Sequence, residues 1–144
     1  MFKKLIERLY FKQVGNLALY DQFTGCLNRN WYERFAKDER GFVTVCDVNG
    51  LKATNDTLGH AEGDRLILSV ASILQKNFPK GKVCRYGGDE FYLFTKEDPT
   101  LELKRLDNKS FSFGTCEIVG NVATCVECAD NRMYSMKKGL KVAR

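Results

Sequence analysis

Three acidic residues carry the chemistry this sequence could do: Asp47 near the end of an apolar run, and Asp89 and Glu90 directly after the pair Gly87-Gly88. Carboxylates gathered at the mouth of a sheet hold hard divalent cations against phosphate oxygens. Glycines beside them leave no side chain between backbone and ligand. A carboxylate within an apolar strand is costly to bury unless something pairs with it, and a metal ion would do so. An ordinary acidic turn and a capping aspartate are the plain alternatives, and the joint presence of all three acids weighs against them.

The elements that must position these residues are written around them. Val83-Cys84-Arg85-Tyr86 and Phe91-Tyr92-Leu93-Phe94 are short and rich in aromatic and β-branched residues, which predicts a β-hairpin. Its Gly-Gly tip is expected to supply positive φ for a two-residue primed turn. Phe42 to Val48 is almost continuously apolar, the pattern of a central strand covered on both faces. Asn49 to Gly59 suits a loop with a short helical turn, in which Gly50 lets a backbone N–H approach phosphate. A long helix from near Ala61 buries Leu66, Ile67, Val70, Ala71, Ile73, Leu74 and Phe78, with Glu62 and Asp64 in its first turn facing the helix dipole.

Upstream, apolar residues at 2, 5, 6, 9, 10, 14 and 17 predict an amphipathic helix from Phe2 to about Tyr20. Its stripe packs either on its own domain or on a twin. Asn28 caps a helix through Trp31 and Phe35 to about Asp38. Downstream, Leu101 to Leu106 allows at most two helical turns, Phe111 to Cys116 reads as a strand, and Val122 to Lys138 as a closing helix ending before Gly139. The order predicts an α/β sandwich with a central mixed sheet, in which residues 1–20 form an N-terminal helix and residues 21–144 one domain.

Length and composition bound the rest. The chain has 144 residues, 44% hydrophobic and 28% charged, which fits one globular domain and excludes disorder. Its apolar runs fall far short of the ~18 residues that span a bilayer, and charge interrupts the opening segment, so a cytoplasmic protein without a membrane partner is expected. The net charge of +5 is spread among acids rather than stacked in a stripe, which argues against nucleic acid. Of the six cysteines, Cys46, Cys84 and Cys116 fall in predicted strands and are expected to be reduced, buried small hydrophobes. Cys125-Val126-Glu127-Cys128 is a single CxxC without a second pair at zinc spacing, which predicts no metal or redox role.

Taken together, several stretches resemble the GGDEF family of diguanylate cyclases, which join two GTP molecules into cyclic di-GMP. They are Arg85 to Phe91, the opening motif Asp21 to Arg29, Asp47 to Asp56 with Gly59-His60 and Gly63-Asp64, and Ser112-Phe113-Gly114 with Ala129-Asp130, Met133-Tyr134 and Lys137. The likeness runs from about Asp21 to Lys138. It implies a palm-like fold and two magnesium ions, with manganese as an alternative, held by Asp47, Asp89 and the main-chain carbonyl of Val48. Glu90 is then a further ligand and the base for the attacking 3′-hydroxyl. Asn55 and Asp64 would read the guanine edge, while the amides of Gly50 and Leu51, with Lys137 and Lys141, would steady the outer phosphates. Joining two nucleotides implies a homodimer.

The chain also departs from the family. Phe78-Pro79-Lys80-Gly81 stands where product-inhibited members carry Arg-x-x-Asp, so no feedback through that site is expected. Cys26 replaces a common leucine beside the base, loosening the guanine pocket, and the segment 95–111 is short. The alternative to a cyclase is a GTP-holding regulatory module without turnover. A polymerase or nuclease would need a basic groove and a further domain, for which the chain has little room.

Overall fold

The computed structural model describes residues 1–14, 18–106 and 110–142. Helix α1 spans Phe2–Val14 and α2 spans Arg29–Phe35, followed by a 3-10 turn at Ala36–Asp38. Strand β1 (Phe42–Val48) leads to α3 (Leu51–Leu58) and α4 (His60–Asn77). The hairpin strands β2 (Lys82–Arg85) and β3 (Glu90–Thr95) follow, then α5 (Thr100–Arg105), β4 (Phe111–Glu117) and α6 (Val122–Val142).

The strands form one sheet in the order β2-β3-β1-β4, every neighbouring pair antiparallel. Leu27 adds a parallel bridge to Cys84 at the β2 edge, which makes the sheet mixed. Side chains alternate along a strand, so β1 serves two cores at once. Val43 and Val45 join Trp31, Phe94, Val126, Ala129 and Met133 beneath α2 and α6. Cys46 and Val48 join Ile67, Val70, Leu74, Phe91 and Leu93 beneath α4. At the β4 face α6 comes so close that a Cβ on Gly114 would run into the backbone of Ala129 and Met133.

Asn28 caps α2 as expected, its side chain accepting from the Trp31 amide at 3.0 Å. Helix α1 is shorter than its periodicity suggests. Its described residues run to Val14, and by Tyr20 the backbone bridges Leu27 instead of continuing a helix. Phe2, Leu5, Ile6 and Leu9 stay exposed while Tyr10 of the same stripe meets the Phe35 ring at 5.9 Å, so among the described residues the stripe packs on its own domain only through Tyr10.

Four other expectations need correction. Neither Gly87 nor Gly88 adopts positive φ, because the hairpin turns through Tyr86 to Asp89 and not through a two-residue primed turn. The segment after Asn49 forms a full two-turn helix, α3. Helix α6 passes through Gly139 to Val142; an interior glycine weakens a helix by about 1 kcal/mol without ending it. Finally, Cys116 is not a free thiol: it is disulfide-bonded to Cys128, tying β4 to α6. The CxxC spacing hid this pairing because the partners meet across two packed elements.

No helix among the described residues is long and apolar enough to cross a membrane. A cleft of about 640 Å³, lined by Lys3, Lys82 and Lys96 together with Glu7, Asp38 and Glu39, lies at the end of the sheet where β1 begins and β3 ends, away from Asp47, Asp89 and Glu90.

Candidate active site

The antiparallel register of β1 and β3 sets Asp47 directly opposite Glu90. Such pairs bring their Cβ atoms to about 4.5–5.5 Å. Both share strand parity with the residues packed under α6, and α6 supplies a cation: Lys137 Nζ lies 2.7 Å from Asp47 Oδ2. The other oxygen, Asp47 Oδ1, is buried and has no hydrogen-bond partner. Asp89 caps this end of the ladder through its carbonyl, which accepts from the Val48 amide at 2.9 Å.

Crowded carboxylates in a partly dry setting hold their protons longer. Burial raises the pKa of Asp47, the Lys137 ammonium works against that rise, and the Asp89 charge adds to it. Glu90 is also raised by burial, opposed by a hydrogen bond from Tyr92 and reinforced by Asp130, Asp47 and Asp89.

Among the described residues no three Cys, His, Asp or Glu side chains converge as a ready-made metal centre. The donor chemistry fits a hard cation nonetheless. It is all oxygen, it includes an orphaned buried carboxylate atom, and further ligands would come from phosphate and water.

The hairpin tip is held by a residue whose role sequence reasoning did not assign. Arg85 donates through Nε and Nη2 to the Gly88 carbonyl at 3.2 and 2.9 Å, and through Nη1 to Asp21 Oδ2 at 3.2 Å. Burial alone would raise the Asp21 carboxyl, but hydrogen bonds from Thr24 and Arg85 hold it below the usual carboxylate range. The opening loop and the acidic turn are thereby locked together. Ser112, fully buried on β4, donates to Asn49 Oδ1 at 2.8 Å and fixes the chain leaving β1.

At the start of α3, Gly50 sits at φ 68° as the N-cap, a left-handed conformation that glycine adopts without strain. Leu51 opens that helix, whose first amides lack intrahelical acceptors. Asn55 is half-buried with its amide oxygen against Gly63, where a Cβ would overlap it, and exposed Asp64 is the next residue. Lys137 stands on Asp47 and not free in front of a phosphate site. The Lys141 side chain lies outside the described residues. Cys26 is a core residue, 1% exposed in the α4 cluster.

Residues 18–109 match the family profile described as "Diguanylate cyclase, GGDEF domain". The chain is 32% identical to the probable diguanylate cyclase DgcI of Escherichia coli K12, over 92% of this chain and 34% of DgcI. It is 36% identical to the cyclic di-GMP phosphodiesterase PdeB of Shewanella oneidensis, over 69% of this chain and 12% of PdeB. The chain thus spans about a third or less of the length of these relatives. The fold is similar to the coiled coil and GGDEF domain of DgcB from Caulobacter crescentus, solved with c-di-GMP, at a TM-score of 0.76 and 24% identity over 95% of this chain and 91% of that one.

Proposed function

Because the chain belongs to the GGDEF domain family, we propose that it condenses two GTP molecules into cyclic di-GMP with release of pyrophosphate. The observation that carries this reading is the buried, unpartnered Asp47 Oδ1 on a residue directly across the ladder from Glu90. A structural aspartate would be satisfied by the protein. One left half-satisfied at a strand end, amid other carboxylates, is kept for a ligand.

Asp47, the Val48 carbonyl, Asp89 and Glu90 would hold two magnesium ions, or manganese in their place, and such ions supply neutralisation of the charge on the transferring phosphoryl group. Glu90 takes the proton of the attacking 3′-hydroxyl. The amides of Gly50 and Leu51 receive phosphate oxygens. Lys137 exchanges Asp47 for the outer phosphates once they arrive, and Lys141 adds a second cation. Asn55 and Asp64 bond the guanine edge, where Asp64 accepts from N1–H and would meet a bare lone pair on adenine.

One domain presents one GTP, so two subunits meet face to face with twofold symmetry, each offering a hydroxyl to the other's phosphate. The exposed Phe2, Leu5, Ile6 and Leu9 stripe of α1 is an apolar surface for that second copy. We place this activity in the cytoplasm, with its GTP supply.

The test is incubation with GTP and magnesium followed by chromatography with mass detection. Cyclic di-GMP should form at a rate rising faster than linearly with protein concentration, and Asp89→Ala should abolish it while leaving the fold intact. The Lys137–Asp47 ion pair favours a second reading, a module that holds GTP without turnover. GTP bound but unconverted at high protein concentration would select it.

A further inference from the structure

We propose that Tyr92 is a positioning residue whose hydroxyl fixes the Glu90 carboxylate for the reaction, an inference that rests on the cyclase reading. Tyr92 follows Glu90 by two residues in β3, so both side chains stand on the α6 face. Its ring is 5% exposed and has little freedom. It stacks on Tyr86 at 4.6 Å with an interplanar angle of 20°, and Tyr32 meets it edge-on at 5.2 Å. Tyr32 also touches Tyr86 at 5.2 Å, and the Arg29 guanidinium lies 4.8 Å above the Tyr86 ring. The Tyr86 amide donates to the Glu90 carbonyl at 2.9 Å, so the stack is tied to the backbone of the residue it serves.

A ring clamped in this way, on the strand face it shares with Glu90 and stacked on Tyr86 beside it, sets its hydroxyl toward the Glu90 carboxylate, where it works against the rise in that carboxyl's pKa. The need for it follows from charge. Asp47, Asp89 and Asp130 all repel Glu90, and an untethered glutamate has rotamers that swing toward solvent, away from its ladder partner Asp47. The Tyr92 hydroxyl opposes that swing.

A purely structural Tyr92 would contribute its ring and not its hydroxyl, and Tyr92→Phe separates the two. Manganese affinity in the presence of a GTP analogue with a non-cleavable α–β bridge is measured by electron paramagnetic resonance for wild type, Tyr92→Phe, Glu90→Gln and the double variant, beside kcat, KM and the melting midpoint. The expected result is manganese affinity weakened about 10-fold by Tyr92→Phe, the lower range for a hydrogen bond to a charged group. kcat should fall similarly with KM for GTP and the melting midpoint unchanged, and the hydroxyl should have no further effect on manganese affinity in the Glu90→Gln background. Wild-type manganese affinity in Tyr92→Phe, or an equal loss in both backgrounds, overturns the proposal. If the wild type makes no cyclic di-GMP, the cyclase reading fails, and the manganese comparison still decides whether Tyr92 acts through Glu90.

Discussion

Lys137 on α6 and Asp47 on β1, 90 residues apart in the chain, form an ion pair of 2.7 Å near the end of a central strand. The pair neutralises a carboxylate already crowded by Asp89, and it spends a cation that the incoming triphosphate would otherwise meet. Substrate binding on this reading is an exchange: Asp47 trades an ammonium for a metal ion and Lys137 trades a carboxylate for phosphate.

Lys137→Ala tests the exchange. Both side chains are about three-quarters shielded, so loss of the cation should cost about 1 kcal/mol of stability, well below the value for a fully buried pair. KM for GTP should rise about 10-fold, with kcat reduced less, as for lost binding that is similar in ground and transition states. Steady-state kinetics and urea unfolding report the two parts separately, and an unchanged KM would leave Lys137 a structural partner of Asp47 alone.

Glu90→Gln should stabilise the metal-free protein while abolishing turnover. The folded-state pKa of Glu90 is raised, so the folded protein binds its proton more tightly than the unfolded chain. The charged carboxylate therefore costs no stability below the ordinary glutamate range, and the cost grows as pH rises through the folded-state pKa. The variant should melt about 3 °C higher at pH 7, the shift that about 1 kcal/mol gives in a domain of this size, and the gain should vanish near pH 4. Calorimetry at both pH values without divalent ions checks this; a gain that persists at pH 4 would assign it to something other than the charge.

Gly63→Ala probes the proposed guanine site without substituting either proposed reader. A methyl there overlaps the Asn55 amide oxygen, and Gly63 is buried, so the amide must move. The overlap is with the far end of a side chain, and alanine is the better helix former, so stability should change by no more than about 1 kcal/mol. Preference for GTP over ATP should drop about 10-fold in parallel. Titration of both nucleotides with the folded variant would show it, and an intact preference would release Asn55 from base recognition.

What was legible in the sequence depended on local pattern. The uninterrupted run Phe42 to Val48 is β1 residue for residue, and Asn28 before Trp31 marks a helix start by its capping chemistry. The acids were visible because charge is conspicuous in apolar strands. What stayed hidden depended on pairs far apart in the chain. The Gly87-Gly88 turn is shaped by Arg85 holding the Gly88 carbonyl, so its φ angles do not follow from glycine content. Lys137 was identified as a phosphate cation, while its contact with Asp47 arises only when α6 packs over β4. Tyr92 reads as one more strand aromatic until its neighbours Tyr86 and Tyr32 are known.

The disulfide gives the last prediction. Cys116 is buried on β4, and exposed Cys128 lies on α6 nine residues before Lys137. A cross-link over a separation of 12 residues stabilises by about 3 kcal/mol through restriction of the unfolded chain. It also pins the helix from which Lys137 reaches Asp47. Cys128→Ser, or reduction of the wild type by a dithiol, should therefore lower the unfolding free energy in urea by about that amount. KM for GTP should rise at the same time, because α6 is held over β4 only by packing once the bond is gone. Dithiol should have no effect on the Cys128→Ser variant. The other cysteines, Cys26, Cys46, Cys84 and Cys125, are buried free thiols and form no alternative cross-link. Equal stability with and without dithiol, with the bond shown to be open by thiol counting, would mean that packing of Gly114 against α6 holds these elements unaided.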